Sequence, residues 1–175
     1  TQESESIMIL GGILETPLLR NIPAPNIIAN IDKIQIGVPA FHFFGGVDRS
    51  IPIIELESGS HENPLSFAVA IQSTLAFLAN IGVIASLIGK PQEPKTYNYY
   101  EIIDSVVLPN ESYELVRPFK MWEFISANTL VARGDQEDIF LATDGHIIMP
   151  PKGIRPSNYQ EEVFFVSRRV ENITL

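Results

Sequence analysis

The chain has no cysteine in its 175 residues, which excludes a disulfide framework and a thiolate metal site. Cations are also scarce. Twelve lysines and arginines stand against 21 acidic residues, for a formal net charge of −9. A surface that neutralises phosphates needs clustered positive charge, so no nucleic-acid partner and no anionic membrane surface is expected. No apolar run reaches the ~18–20 residues of a membrane-spanning helix. The opening TQESES has no basic stretch ahead of an apolar one and does not read as a signal peptide. A cysteine-free chain of this kind fits the reducing cytoplasm, its expected location. It begins without an initiator methionine, as expected of a fragment of a longer protein. Histidine occurs only as His42, His61 and His146. They form no HExxH pair, and the chain contains no GxSxG elbow, P-loop or GxGxxG turn.

What is present is a globular composition. Apolar residues make up 45% and charged residues 19%, enough to bury a core and too few charges for a disordered chain. The length allows one domain or two small ones.

The stretch IPIIELESGSHENP, Ile51 to Pro64, carries the most information. Ile53, Ile54 and Leu56 are strand formers, and alternation places Ile53, Glu55 and Glu57 on one face. Ser58-Gly59-Ser60 ends the strand. Asn63 suits a helix N-cap and Pro64 the first helical position. Carboxylates at the end of an apolar strand require solvent, a partner or a metal. The junction of a strand end and a helix start is where α/β proteins place their sites. An edge strand with two solvated glutamates is the alternative.

Along the rest of the chain, Ile7 onward reads as a strand ending at Gly11-Gly12. Pro17, Pro23 and Pro25 then forbid a long regular element. Residues 27–36 are left open between helix and strand, and 38–46 read as a second apolar strand. Pro64 to Ile81 has helical spacing with no charged residue, which predicts a helix largely buried against a sheet and stopped by Gly82. Gly89 to Lys95, GKPQEPK, reads as a linker. It divides an expected first domain, residues 1–90, from a β-rich second, residues 96–175. In the second, short apolar runs from Tyr97 to Val166 are separated by turn signals, among them Asp144-Gly145, a hairpin signal. Many short strands argue for a small all-β barrel or sandwich.

The chemistry open to these residues is limited. A catalytic zinc needs two or three His or carboxylate ligands, and the histidines have no ligand spacing. Glu57 is a candidate general base for a water activated by ligands from elsewhere. His61, four residues on, is placed to orient it or touch substrate, or is an exposed loop histidine. His42 lies among aromatics and reads as a half-buried residue. Lys120-Met121 is a faint echo of a biotin or lipoyl carrier, but Phe119 and Trp122 do not match a carrier hairpin.

The order of parts resembles the C-terminal portion of the succinylglutamate desuccinylase/aspartoacylase family. A strand ending in Glu57-Ser58-Gly59 is followed by a capped apolar helix closing at LANIGVI and then by a β-rich domain. The segments YYEIIDSVVLPN, RPF, NTLVARG, IFLATDGHIIMPP and EEVFFVSRR strengthen the likeness, which spans about residues 35 to 170. The resemblance implies part of a carboxypeptidase-like α/β core followed by a small all-β barrel or sandwich. It further implies cleavage of an N-acyl amide by a zinc-activated water, with a Glu as base and acid. Glu57 matches that Glu, and Glu55, two residues earlier on the same face, is the fallback. The family's His-x-x-Glu pair and later His precede this strand, and residues 1–50 supply none of them. Zinc ligands are therefore expected outside this chain. For the substrate-contacting arginine, Arg20 and Arg49 are candidates by charge, and His61 and Arg49 are the possible substrate-binding residues. The implied partner is a small N-acyl amino acid, with the oligomeric state open. A β-rich binding or interaction module without catalytic activity is the other reading.

Overall fold

The structure, a computed structural model, describes residues 6–11, 16–31, 34, 53–60, 62–85, 95–156 and 159–174. His42, Arg49, His61 and the strand expected over 38–46 lie outside these described residues. Contacts divide the chain into two units. The first comprises the described residues of Thr1–Ala29, Ala40–Tyr100 and Val170–Leu175, and the second those of Asn30–Pro39 and Glu101–Arg169. The chain passes from one to the other within a strand, at Tyr100 and Glu101.

In the first unit the apolar run after Ser6 forms β1 (Ile7–Gly11). Met8 and Leu10 are buried on one face, Ile7 and Ile9 on the other, as in a strand covered on both sides. β1 pairs in parallel with β2 (Asn26–Ala29) and antiparallel with β3 (Ile53–Glu57). β4 (Thr96–Val107) lies beside β2, and β11 (Ile173–Thr174) pairs with its first residues, so the sheet is mixed. The described residues of the proline-rich segment between β1 and β2 include a short 3-10 helix, Thr16–Leu19. Its carbonyls are used: the buried Tyr97 hydroxyl lies 3.1 Å from the Leu19 oxygen and 3.2 Å from that of Ile22. Burial raises the pKa of that phenol.

The helix α1 (Pro64–Asn80) closes one face of this sheet. Ala76 packs with Met8, Leu10, Leu19, Ile22, Ala24, Ile27 and Tyr97. Its C-terminus ends in paired reverse bonds, Gly82 N–H to Ala79 O at 3.1 Å and Val83 N–H to Leu78 O at 2.9 Å, with Gly82 at φ +75°. The Asn80 amide donates to the Leu18 and Arg20 carbonyls at 2.9 and 2.8 Å, pinning the helix end to the 3-10 segment. The expected burial of the whole apolar stripe is corrected here. The buried residues are Ser66, Ser73 and Ala76, while Leu65, Phe67, Ile71 and Leu75 are exposed. Small side chains let a helix backbone approach the sheet closely, and a helix without charges has no polar face to mark its outside.

The second unit is built from short strands: β5 (Glu114–Leu115), β6 (Phe124–Ile125), β7 (Leu130–Arg133), β8 (Ile139–Phe140), β9 (Gly145–Ile148) and β10 (Glu162–Arg169). β4 continues beside β10, followed by β9 and β6, and β5, β7 and β8 form a separate three-stranded antiparallel sheet. One core joins them, with Val106, Leu115, Val131, Leu141, Ile147, Phe164 and Val166 all buried. The described residues are thus mostly β-sheet with one α-helix, and they form no closed barrel. The expected hairpin at Asp144-Gly145 is also corrected. β8 pairs with β7, whereas β9 pairs with β6 and β10. Gly145 is needed for close approach instead, because a Cβ there would stand 2.8 Å from the Ser167 carbonyl oxygen. The Asp144 carboxylate accepts the Ala127 N–H at 2.6 Å, joining two loops. No helix among the described residues is long and apolar enough to cross a membrane.

Candidate functional site

Glu57 is the last residue of β3 and is exposed. Register decides where its side chain points. In an antiparallel pair, residues directly opposite share a face. Glu57 stands opposite Ile7 and Glu55 opposite Ile9. Ile54 and Leu56 take the other face, where they pack on the core that includes Ala76 of α1. Both glutamates therefore face away from the helix, Glu55 half-buried and Glu57 at the solvent edge.

The loop that follows is tied to the helix start by a compact set of bonds. The Ser60 carbonyl accepts the Asn63 N–H at 3.0 Å and the Ser66 hydroxyl at 2.8 Å. The Ser60 hydroxyl oxygen accepts the Glu62 N–H at 3.3 Å. The Asn63 side chain caps α1 by accepting the Leu65 N–H at 3.0 Å, as its position before Pro64 leads one to expect. Gly59 turns the chain out of the strand at φ +116°, a conformation only glycine adopts at low cost. Glu57 thus stands exposed at the strand end, two residues before this turn.

Of the residues singled out in the sequence, Glu55 and Glu57 are brought onto one face. His42, Arg49 and His61 lie outside the described residues. Arg20 is exposed in the first unit, near the end of α1. His146 belongs to the second unit, on β9, with its ring 5.4 Å from that of Phe124. The sequence marked Ser60 only as part of the strand break and did not mark Ser66; together they organise the loop. Their signal was a polar residue at every third position, Ser60, Asn63 and Ser66, ahead of an apolar helix.

The second unit carries a different charged feature. Arg117 donates to both carboxylate oxygens of Glu123, at 2.6 and 3.1 Å, and the Lys120 N–H donates to Glu123 at 3.0 Å. The guanidinium also lies 4.4 Å from the Phe119 ring centre. The hydrogen bond from Arg117 holds the Glu123 carboxyl below its ordinary pKa, and the same bond raises that of Arg117.

No family model matches the chain, and no curated protein matches it in sequence. Solved structures do. Over 98% of its length the chain superposes on 53% of the succinylglutamate desuccinylase of Vibrio parahaemolyticus, with a TM-score of 0.63 and 9% identity. It shares that fold. The succinylglutamate desuccinylase/aspartoacylase of Rhodobacter sphaeroides matches over 97% of this chain and 55% of its own, at TM-score 0.59 and 16% identity. The ectoine utilization protein EutE of Ruegeria pomeroyi, in a product-bound structure, matches over 94% and 54%, at TM-score 0.60 and 15% identity. The chain thus spans about half the length of the solved structures whose fold it shares, which fits a C-terminal portion of a longer protein of that fold. The resemblance drawn from the order of segments holds at the level of the fold.

A catalytic zinc takes three protein ligands and keeps a position open. Among the described residues no group of three His, Asp or Glu converges.

Proposed function

We propose that this chain is the C-terminal portion of a zinc-dependent hydrolase that cleaves the N-acyl amide of a small N-acyl amino acid. Residues 1–90 would complete a carboxypeptidase-like α/β core, and residues 96–175 would form the β-rich domain that follows it. The supporting observation is the exposed Glu57 at the end of β3, ahead of a capped helix, in a fold shared with desuccinylases. The reading takes zinc and its ligands to come from outside this chain. Glu57 then has one task in two steps. As an anion it takes a proton from the water that attacks the acyl carbon. Once protonated it gives that proton to the departing amine nitrogen as the C–N bond breaks. His61 and Arg49 are the proposed substrate contacts, and cytoplasm is the proposed location.

A second reading has an observation of its own. α1 turns Phe67, Ile71 and Leu75 outward, as a binding module without chemistry would. Hydrolysis of a panel of N-acyl amino acids by the polypeptide of the complete reading frame, with and without a zinc chelator, separates the two. Chelator-sensitive release of the amine supports the hydrolase. A complete polypeptide that binds zinc stoichiometrically yet hydrolyses no member of the panel removes it.

A further inference from the structure

From Pro64 to Asn80, α1 carries no charged side chain, and the residues it buries are Ser66, Ser73 and Ala76. Its large apolar side chains stay outside. Leu65 and Phe67 are 66% and 73% exposed, Ile71 43% and Leu75 38%. Phe67, Ile71 and Leu75 are spaced four residues apart, so they form one stripe along the helix. A helix that is apolar all round is a buried helix in a finished protein, and a contiguous apolar patch marks a contact surface. α1 also lies at the end of the sheet. Phe77 lines an open groove with Ile54 and Leu56 of β3, and β3 stands last in the strand order of the described residues.

A helix that settles on an anionic membrane carries lysine or arginine on its polar side, and α1 has neither. Length favours a cover from the same polypeptide. This chain matches 53–55% of the solved structures that share its fold, so nearly half of each of those chains lies outside the matched part. A cover joined to α1 through the backbone acts at a high effective concentration and avoids the association cost of a separate partner. We propose that the outward face of α1, from Leu65 to Leu75, is an interface with the part of the complete polypeptide that precedes Thr1, which covers it with an apolar surface. The proposal rests on the reading of this chain as a C-terminal portion, not on the chemistry assigned to Glu57.

The photo-crosslinker p-benzoylphenylalanine, placed at position 67 of the present numbering in the polypeptide of the complete reading frame, reports what covers the helix. After irradiation, mass spectrometry should find an adduct at the mass of one polypeptide, joined to a residue that precedes Thr1. Phe67→Gln and Ile71→Gln supply a second measurement. Each should lower the folding equilibrium constant of the complete polypeptide by about 10–100-fold, the worth of burying a large apolar side chain. Each should leave the urea midpoint of the 175-residue chain nearly unchanged. An adduct to a second polypeptide, an adduct within residues 1–175, no adduct, or equally small losses in both proteins overturns the proposal. None of these readouts involves hydrolysis. Failure to hydrolyse the N-acyl amino acid panel therefore strikes the catalytic reading alone, whereas an active polypeptide that crosslinks to a second copy strikes the interface alone. A reading frame with nothing ahead of Thr1 removes both.

Discussion

Ser66, in the first turn of α1, donates its hydroxyl to the backbone carbonyl of Ser60 at 2.8 Å and so closes the loop that follows Glu57. Ser66 is buried, and Ser60 also receives the Asn63 N–H. Removing the hydroxyl leaves a carbonyl with one bond fewer and a better helix former in place. Ser66→Ala should therefore lose about 0.5–1 kcal/mol, the net worth of a hydrogen bond less a few tenths of helix propensity. Asn63→Ala, which removes the cap, should cost about 1 kcal/mol. Urea denaturation of both variants measures these losses.

Gly59→Ala tests the turn itself. At φ +116° the new methyl meets the local backbone whatever space surrounds it. A loss of roughly 1–3 kcal/mol is expected, the cost of holding a residue in a sparsely populated backbone region. A midpoint of thermal unfolding equal to that of the parent would mean the loop adopts another conformation.

Much of this was legible in the sequence, and what was not has identifiable causes. The Ile53–Glu57 strand, the Asn63 cap, the Gly82 stop and the strand from Thr96 rest on local chemistry, and local chemistry can be read from neighbours along the chain. Tertiary packing cannot. The orientation of α1 depended on which of two apolar faces met the sheet, and the face with Ser66, Ser73 and Ala76 did. Asp144-Gly145 had the composition of a hairpin, but Gly145 answers to the Ser167 carbonyl of a strand 22 residues further along the chain. The two-residue strands β5, β6 and β8 are too short to show a period. At the candidate site the sequence marked the carboxylates and their common face. It marked Ser60 only as a strand breaker and did not mark Ser66, whose hydroxyl closes the loop.

The outward face of α1 leads to an opposed pair of expectations. Ile71→Gln alters an exposed position, 43% accessible, and should change stability by less than about 0.5 kcal/mol. Ala76→Leu pushes a larger side chain into the contact with Met8 and Leu10 and should cost about 1–3 kcal/mol. Chemical denaturation that ranks them the other way would reverse the assignment of the helix faces.

The Arg117–Glu123 pair gives a pH dependence with a definite sign. The carboxyl of Glu123 is held below its ordinary pKa in the folded chain. Its contribution is therefore fully present above the unfolded value of about 4.3 and fades as pH falls below it toward the folded value. Arg117 and Glu123 side chains are 46% and 26% exposed, so solvent screening limits the contribution to about 0.5–1 kcal/mol. Glu123→Gln should lose that amount at pH 7 and nothing once both states are protonated. Urea midpoints of the two proteins, measured down through pH 3, should converge.

The last expectation concerns the two glutamates of β3. They share a face and lie two residues apart, so the fold alone does not choose between them as proton carriers. Position does. Glu57 ends the strand in solvent, where a water and a leaving amine can both reach it, whereas Glu55 is half-buried opposite Ile9. In the polypeptide of the complete reading frame, Glu57→Gln should keep fold and zinc content while kcat falls ~10²–10⁴-fold, the usual span for a lost acid–base group. Glutamine keeps the shape of the side chain but can no longer take a proton, so the loss should fall on kcat rather than on KM. Glu55→Gln should cost far less. Steady-state kinetics on the N-acyl amino acid panel, with zinc content measured for each variant, decides the matter. A near-normal kcat in Glu57→Gln together with a collapsed one in Glu55→Gln would move the role two residues back along the strand. Full activity in both would remove the carboxylates of β3 from the reaction.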